Sequence, residues 1–133
     1  MARILVVEDN ESLSTVLRSA IQNTGHNVIE ARNGISAVKV IRTEPIDLII
    51  TDVFMPGMDG LDLIRETKKE APDIKIIAMT GGGEQFDEET CIKVALTLGA
   101  DCGVEKPFEI VELLDRIAEL LPTEFVKGDE KVG

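Results

Sequence analysis

Residues 4–10 read Ile4-Leu5-Val6-Val7-Glu8-Asp9-Asn10: four branched apolar side chains followed at once by two carboxylates and an amide. A strand with one wet face alternates apolar and polar residues, whereas an unbroken run predicts a strand covered on both faces. The same signature recurs at Val28–Ala31, Leu48–Ile50 and Ile74–Met79. A fifth run, around Gly103–Val104, has one branched residue beside a glycine and would not stand as a strand by itself.

The stretches between these runs have helical period. Leu13, Val16, Leu17, Ala20 and Ile21 fall on one helical face, as do Ile92, Ala95, Leu96 and Gly99. Ile110, Leu113, Leu114, Ile117 and Leu121 make the strongest such face, which Pro122 closes. Weaker helical stretches run from about Ile35 to Arg42 and from about Leu61 to Lys69. Gly25, Asn33-Gly34, Pro45, Pro72 and Gly99 separate the elements. The order is strand then helix, five times. It predicts an α/β fold: a five-stranded parallel sheet of flavodoxin-like order 2-1-3-4-5, with helices on both faces. Residues 1–121 form one domain on this reading, and 122–133 a short tail or the start of a linker.

Composition narrows the function. With 44% hydrophobic and 29% charged residues, the 133-residue chain has the balance of one globular domain rather than of a disordered segment. It has no Trp, no Tyr and four Phe, which argues against stacking on bases or sugars. The formal charge is −11 with no dense basic run, so nucleic acid and anionic membranes are poor partners. No apolar run approaches the roughly 18 residues of a membrane span, and no signal peptide precedes the first strand. The expectation is a cytoplasmic protein. Cys91 and Cys102 are too few for a disulfide framework and are expected as buried or half-buried free thiols.

In such sheets chemistry collects beyond the carboxyl ends of the strands. There the sequence places Glu8-Asp9 after the first strand, Asp52 after the third, Thr80 after the fourth and Lys106-Pro107 after the fifth. Each alone has a bland reading. Asp9 or Asn10 serves as a helix cap, Thr80 as a strand residue and Lys106 as a solvated cation. Together they have a chemical one. Three close carboxylates repel unless a cation joins them, and their hard oxygens suit Mg²⁺ or Mn²⁺ rather than zinc. A metal held by Asp9 and Asp52, with Glu8 reaching through water, would neutralise an incoming phosphoryl group. Asp52 would then act as nucleophile and form an acyl phosphate. Lys106 would supply a positive charge to one phosphoryl oxygen, and the Thr80 hydroxyl would donate to another only when a phosphoryl group is there.

The segments ILVVEDN (4–10), GHNVIEARNG (25–34), DLIITDVFMPGMDGLDLI (47–64), IIAMTGG (76–82) and GADCGVEKPF (99–108) resemble the receiver domains of two-component response regulators. The likeness spans residues 2–121, nearly the whole chain. It implies a phospho-accepting switch rather than a conventional enzyme, one that catalyses only its own phosphorylation and slow dephosphorylation. By this resemblance Asp52 is the phospho-acceptor. Glu8, Asp9, Asp52 and the Phe54 backbone carbonyl hold Mg²⁺, while Thr80 and Lys106 contact the phosphoryl group. Lys106-Pro107 is expected as a cis peptide. The implied donor is a histidine kinase or a histidine phosphotransfer protein. The implied output is an unknown protein partner, on the face formed by the fourth helix, fifth strand and fifth helix of a monomer or weak dimer. Pro56 and Gly57 shape the loop after Asp52, and Asp59 or Gly60 leads into the third helix.

Three departures stand out. The family's usual Tyr or Phe three residues before the final Lys is here Gly103, so an aromatic ring cannot carry the switch; Phe86 is one candidate to fill the gap. Gly81-Gly82-Gly83 lengthens the loop after Thr80, which phosphorylation is expected to order. Phe54 and Gly82, two residues beyond Asp52 and Thr80, cannot hydrogen-bond an attacking water, which predicts slow self-dephosphorylation.

Other readings compete. The chain would be the receiver of a larger regulator whose DNA-binding or enzymatic output domain lies outside it; by itself it offers no specific DNA-binding surface. An aspartate-nucleophile phosphohydrolase needs a second Asp where Phe54 stands, and a flavodoxin-like electron carrier lacks its Ser/Thr-rich phosphate loop. His26, after Gly25 in a helix-to-strand turn, reads as a surface loop residue and not as a phosphate carrier.

Overall fold

A computed structural model describes residues 1–53, 60–81 and 88–121. Among the described residues strands and helices alternate: β1 (Arg3–Val7), α1 (Glu11–Gln22), β2 (Asn27–Ala31), α2 (Gly34–Thr43), β3 (Leu48–Asp52), α3 (Gly60–Glu70), β4 (Lys75–Thr80), α4 (Glu88–Leu98), β5 (Cys102–Glu105) and α5 (Ile110–Leu120). All strand pairs are parallel, and the order is β2-β1-β3-β4-β5, as expected.

The pleat sorts each apolar run between two cores. Ile4, Val6, Leu48, Ile50, Ile77 and Met79 pack with Leu17 and Ile21 of α1 and with Leu113 and Ile117 of α5. On the opposite face Leu5, Val7 and Ile49 meet Ala37 and Val38 of α2 and Leu63 of α3. Ile76 and Ala78 meet Ile64 of α3 and Ala95 of α4. Burying the central strands on both sides is what their lack of alternation required.

Tertiary context overrode some expectations. β2 is an edge strand with a single neighbour, so only its Ala31 is buried, while Val28 and Ile29 are half-buried. On α1, Ser14 joins Leu17 and Ile21 in the buried set, and Val16 is 50% exposed. On α4 the inner face is Cys91 and Ala95; Leu96 points outward, and Ile92 is half-buried. Both cysteines are free, Cys91 buried and Cys102 half-buried. No described helix is long and apolar enough to cross a membrane.

The caps set where the helices begin. The Asn10 side chain accepts the Leu13 backbone N–H at 2.9 Å, and Asn33 accepts that of Ser36 at 2.8 Å. Asn10 rather than Asp9 therefore caps α1, which leaves the Asp9 carboxylate for the sheet edge. At the opposite edge two side chains pin the start of β1. The backbone N–H of Arg3 donates to Asp47 Oδ2 at 2.8 Å, and that of Ala2 donates to His26 Nδ1 at 3.1 Å.

His26 is thus half-buried and structural, and only its neutral form accepts the Ala2 N–H. Burial lowers its pKa from the usual 6.5, the N-terminal ammonium lowers it further, and Asp47 opposes them. A base lowered in the folded state contributes stability above its unfolded pKa and loses it as pH falls through the folded value. Urea unfolding between about pH 7.5 and 5 should therefore show a loss of stability on acidification. That loss should be smaller in His26→Gln.

Candidate functional site

Glu8 is the residue immediately after β1, and Asp52 ends β3, the strand beside it. Lys106 follows β5. Parallel strands in this order bring all three to one edge of the sheet, with Asp9 next to them. Oxygens of Glu8, Asp9 and Asp52 all lie within 4.8 Å of one another. Lys106 Nζ donates to Glu8 Oε1 at 3.1 Å and to Asp52 Oδ2 at 3.0 Å. Glu8 is 2% exposed, Asp52 8%, and Asp9 is open to solvent.

Backbone contacts hold these side chains. The Asn10 N–H donates to Glu8 Oε2 at 3.0 Å, so the turn that starts α1 also holds the buried carboxylate. The Lys106 N–H donates to the Thr80 carbonyl at 2.7 Å. The Lys106 stem crosses Gly81, where an added Cβ would come 3.1 Å from Lys106 Cδ. The Lys106-Pro107 peptide is cis, as the resemblance implied.

The charges are tuned by burial and proximity. Burial pushes the Glu8 carboxyl above its usual range and the Asp52 charge adds to this, while the Asn10 N–H and Lys106 pull the other way. Burial alone would lower the Lys106 ammonium, but Asp52 and Glu8 outweigh it and hold the lysine above its ordinary value. Three carboxylates against one ammonium leave an excess of negative charge. The donor set is all oxygen and partly open to solvent, which fits a hard divalent cation of the Mg²⁺ type.

The other expected residues are placed differently. Thr80 ends β4, one residue beyond Met79, the partner of Asp52 in the β3–β4 register. It is fully buried, and its hydroxyl donates to the Val104 carbonyl at 3.5 Å. Phe54, Gly82, Phe86 and the loop-shaping Pro56 and Gly57 lie outside the described residues. One contributor was not read as part of the site. Gly60, the first residue of α3, lies against Asp52 so closely that a Cβ there would collide with the Asp52 carbonyl, and its N–H donates to the Val53 carbonyl at 2.9 Å. The only trace in the sequence is a glycine at the head of a helix, which a cap explains equally well.

Comparison with known proteins agrees with this geometry. The response regulator receiver domain family matches residues 4–118. The chain is 34% identical to the alkaline phosphatase synthesis transcriptional regulatory protein PhoP of Bacillus subtilis (strain 168), over 98% of this chain and 56% of that protein. It is 32% identical to sporulation initiation phosphotransferase F of the same organism, over 90% of this chain and 94% of that one. Among solved structures, a CheY-like response regulator receiver domain protein from Methanospirillum hungatei JF-1 superposes with a TM-score of 0.82 at 26% identity, covering 100% of this chain and 99% of that one. The chain spans about half the length of PhoP and of several other regulators it matches.

Gly60→Ala should force either α3 or the Asp52 backbone to shift. Overpacking of this kind costs about 1–3 kcal/mol. Urea unfolding should report the loss, and Mg²⁺ titration should show weaker binding, because Asp52 moves with its carbonyl.

Proposed function

This chain belongs to the response regulator receiver domain family, and from that premise we propose that Asp52 receives a phosphoryl group from a phosphohistidine. Receivers are signalling modules without a conventional enzymatic output. The observation that carries the residue assignment is the Lys106 ammonium bridging Glu8 and Asp52 at the open edge of three clustered carboxylates. Glu8, Asp9, Asp52 and the Phe54 carbonyl would hold Mg²⁺, with Mn²⁺ a possible substitute. The ion, when bound, supplies charge neutralisation for the phosphoryl oxygens.

An Asp52 oxygen attacks phosphorus, the bond from phosphorus to the donor imidazole nitrogen breaks, and the electron pair leaves with the imidazole. Lys106 turns from Glu8 toward a phosphoryl oxygen. The Thr80 hydroxyl exchanges its long bond to Val104 for another phosphoryl oxygen. The same site would accept a phosphoryl group from a small donor without a kinase, so the domain catalyses its own phosphorylation. Dephosphorylation would be slow, because neither Phe54 nor Gly82 can orient a water.

The donor on this reading is a sensor histidine kinase or a histidine phosphotransfer protein in the cytoplasm. The output partner would bind the face made by α4, β5 and α5 of a monomer or weak dimer. Residues 1–121 would be the receiver, and 122–133 a tail or linker. A receiver that acts alone and the receiver portion of a DNA-binding or enzymatic regulator both fit. The matched relatives include proteins of both proportions, and the length of the native reading frame decides between them.

Incubation with Mg²⁺ and acetyl phosphate should add the mass of one phosphoryl group, and chelation or Asp52→Asn should abolish the adduct. An adduct that persists in Asp52→Asn would overturn the assignment. Phe54→Asn should shorten the adduct's lifetime several-fold, as followed by mass spectrometry over time.

A further inference from the structure

Gly103 is the second of the four residues of β5 and pairs with Ala78 of β4. It has no side chain, yet the space beside it is filled. The position of an added Cβ lies 3.0 Å from Ile92 Cγ1, 3.1 Å from Cγ2 and 3.4 Å from Cδ1. Ile92 of α4 therefore rests on bare backbone where residue 103 would otherwise project. A side chain at 103 would therefore overlap Ile92, and in a close-packed interior a displacement of β5 relative to α4 changes the space that Ile92 fills.

The backbone Ile92 rests on is tied to the phosphorylation site. The next residue, Val104, accepts the Thr80 hydroxyl at 3.5 Å, a bond long enough to exchange readily. Two residues further on, the Lys106 N–H is anchored on the Thr80 carbonyl, and its ammonium is shared by Glu8 and Asp52. Ile92 also has somewhere to go. A cleft of about 520 Å³ adjoins it, lined further by residues 103–107 of and after β5 and by Glu112 of α5. The residues that follow on the same helix, Val94 and Leu96, are 40% and 43% exposed, so a change at Ile92 reaches the surface within one turn.

We propose that Ile92 is the positioning residue that couples Asp52 to the outer surface, seated on Gly103 in one state and displaced into the adjoining cleft in the other. This rests on the reading of Asp52 as the phosphoryl acceptor. When the Thr80 hydroxyl turns to a phosphoryl oxygen, Val104 loses its donor and the Gly103–Lys106 backbone resettles. The Ile92 seat changes with it. Linkage makes the coupling reciprocal: a change that unseats Ile92 must favour the phosphorylated state.

The test uses the full chain with Mg²⁺ and beryllofluoride as the phosphoryl mimic. In methyl and amide NMR, beryllofluoride should move the Ile92 Cδ1 methyl resonance together with the Thr80 and Lys106 amides, and move none of them in Asp52→Asn. Gly103→Ala places a methyl group in the Ile92 seat and should tighten beryllofluoride binding about fivefold or more. The gain should vanish in an Ile92→Ala background. Site amides that respond while the Ile92 methyl stays still would overturn the proposal and leave the Asp52 assignment standing. So would an unchanged affinity in Gly103→Ala. Silence at Thr80 and Lys106 in the native protein would overturn both.

Discussion

Carboxylate repulsion at one edge of the sheet is the constraint the site is built around. Glu8, Asp9 and Asp52 come within 4.8 Å of one another, and two of the three are buried. Lys106 offsets part of that cost by donating to Glu8 and Asp52 at once. Its partners lie 98 and 54 residues away along the chain. No local element could assemble this group. A ligand that brings either a cation or a movable anion changes the balance of charge directly, and this is why the cluster suits a switch.

The sheet order is what makes the cluster possible. β1 and β3 are neighbours through parallel pairing, although a strand and two helices separate them in sequence. Gly60 lets α3 start against the Asp52 backbone, and Asn10 caps α1 while its N–H holds Glu8. Thr80 and Lys106 are joined by a backbone hydrogen bond across the β4–β5 edge. The site is therefore held mainly by main-chain contacts, and its side chains keep room to change partners.

At β5 the usual burial of a strand is incomplete. Only Val104 is fully buried there, and Ile92 of the neighbouring helix supplies the apolar cover that Gly103 lacks. A side chain at 103 would collide with Ile92, so the space beside β5 is already taken by the helix.

The strand runs, the helix periods and the polar residues at the strand ends were legible in the sequence, because period and patterning follow from local geometry. They determined the α/β class and the strand order expected for it, and they pointed to Glu8, Asp9, Asp52, Thr80 and Lys106 as candidates for one site. Burial was less legible. Val16 and Leu96 match the helical period but face outward, and Val28 and Ile29 sit in an edge strand, because exposure depends on what lies opposite. Only the tertiary structure decided that Asn10 caps α1, that His26 secures the N-terminus, that Gly60 gives way to Asp52, and that Ile92 occupies the space beside Gly103. The Asn10 cap is local, and the chain only left it open between Asp9 and Asn10; the other three bring together residues 8 to 24 positions apart, and a glycine or an isoleucine carries no mark in the chain of the atom that will be pressed against it.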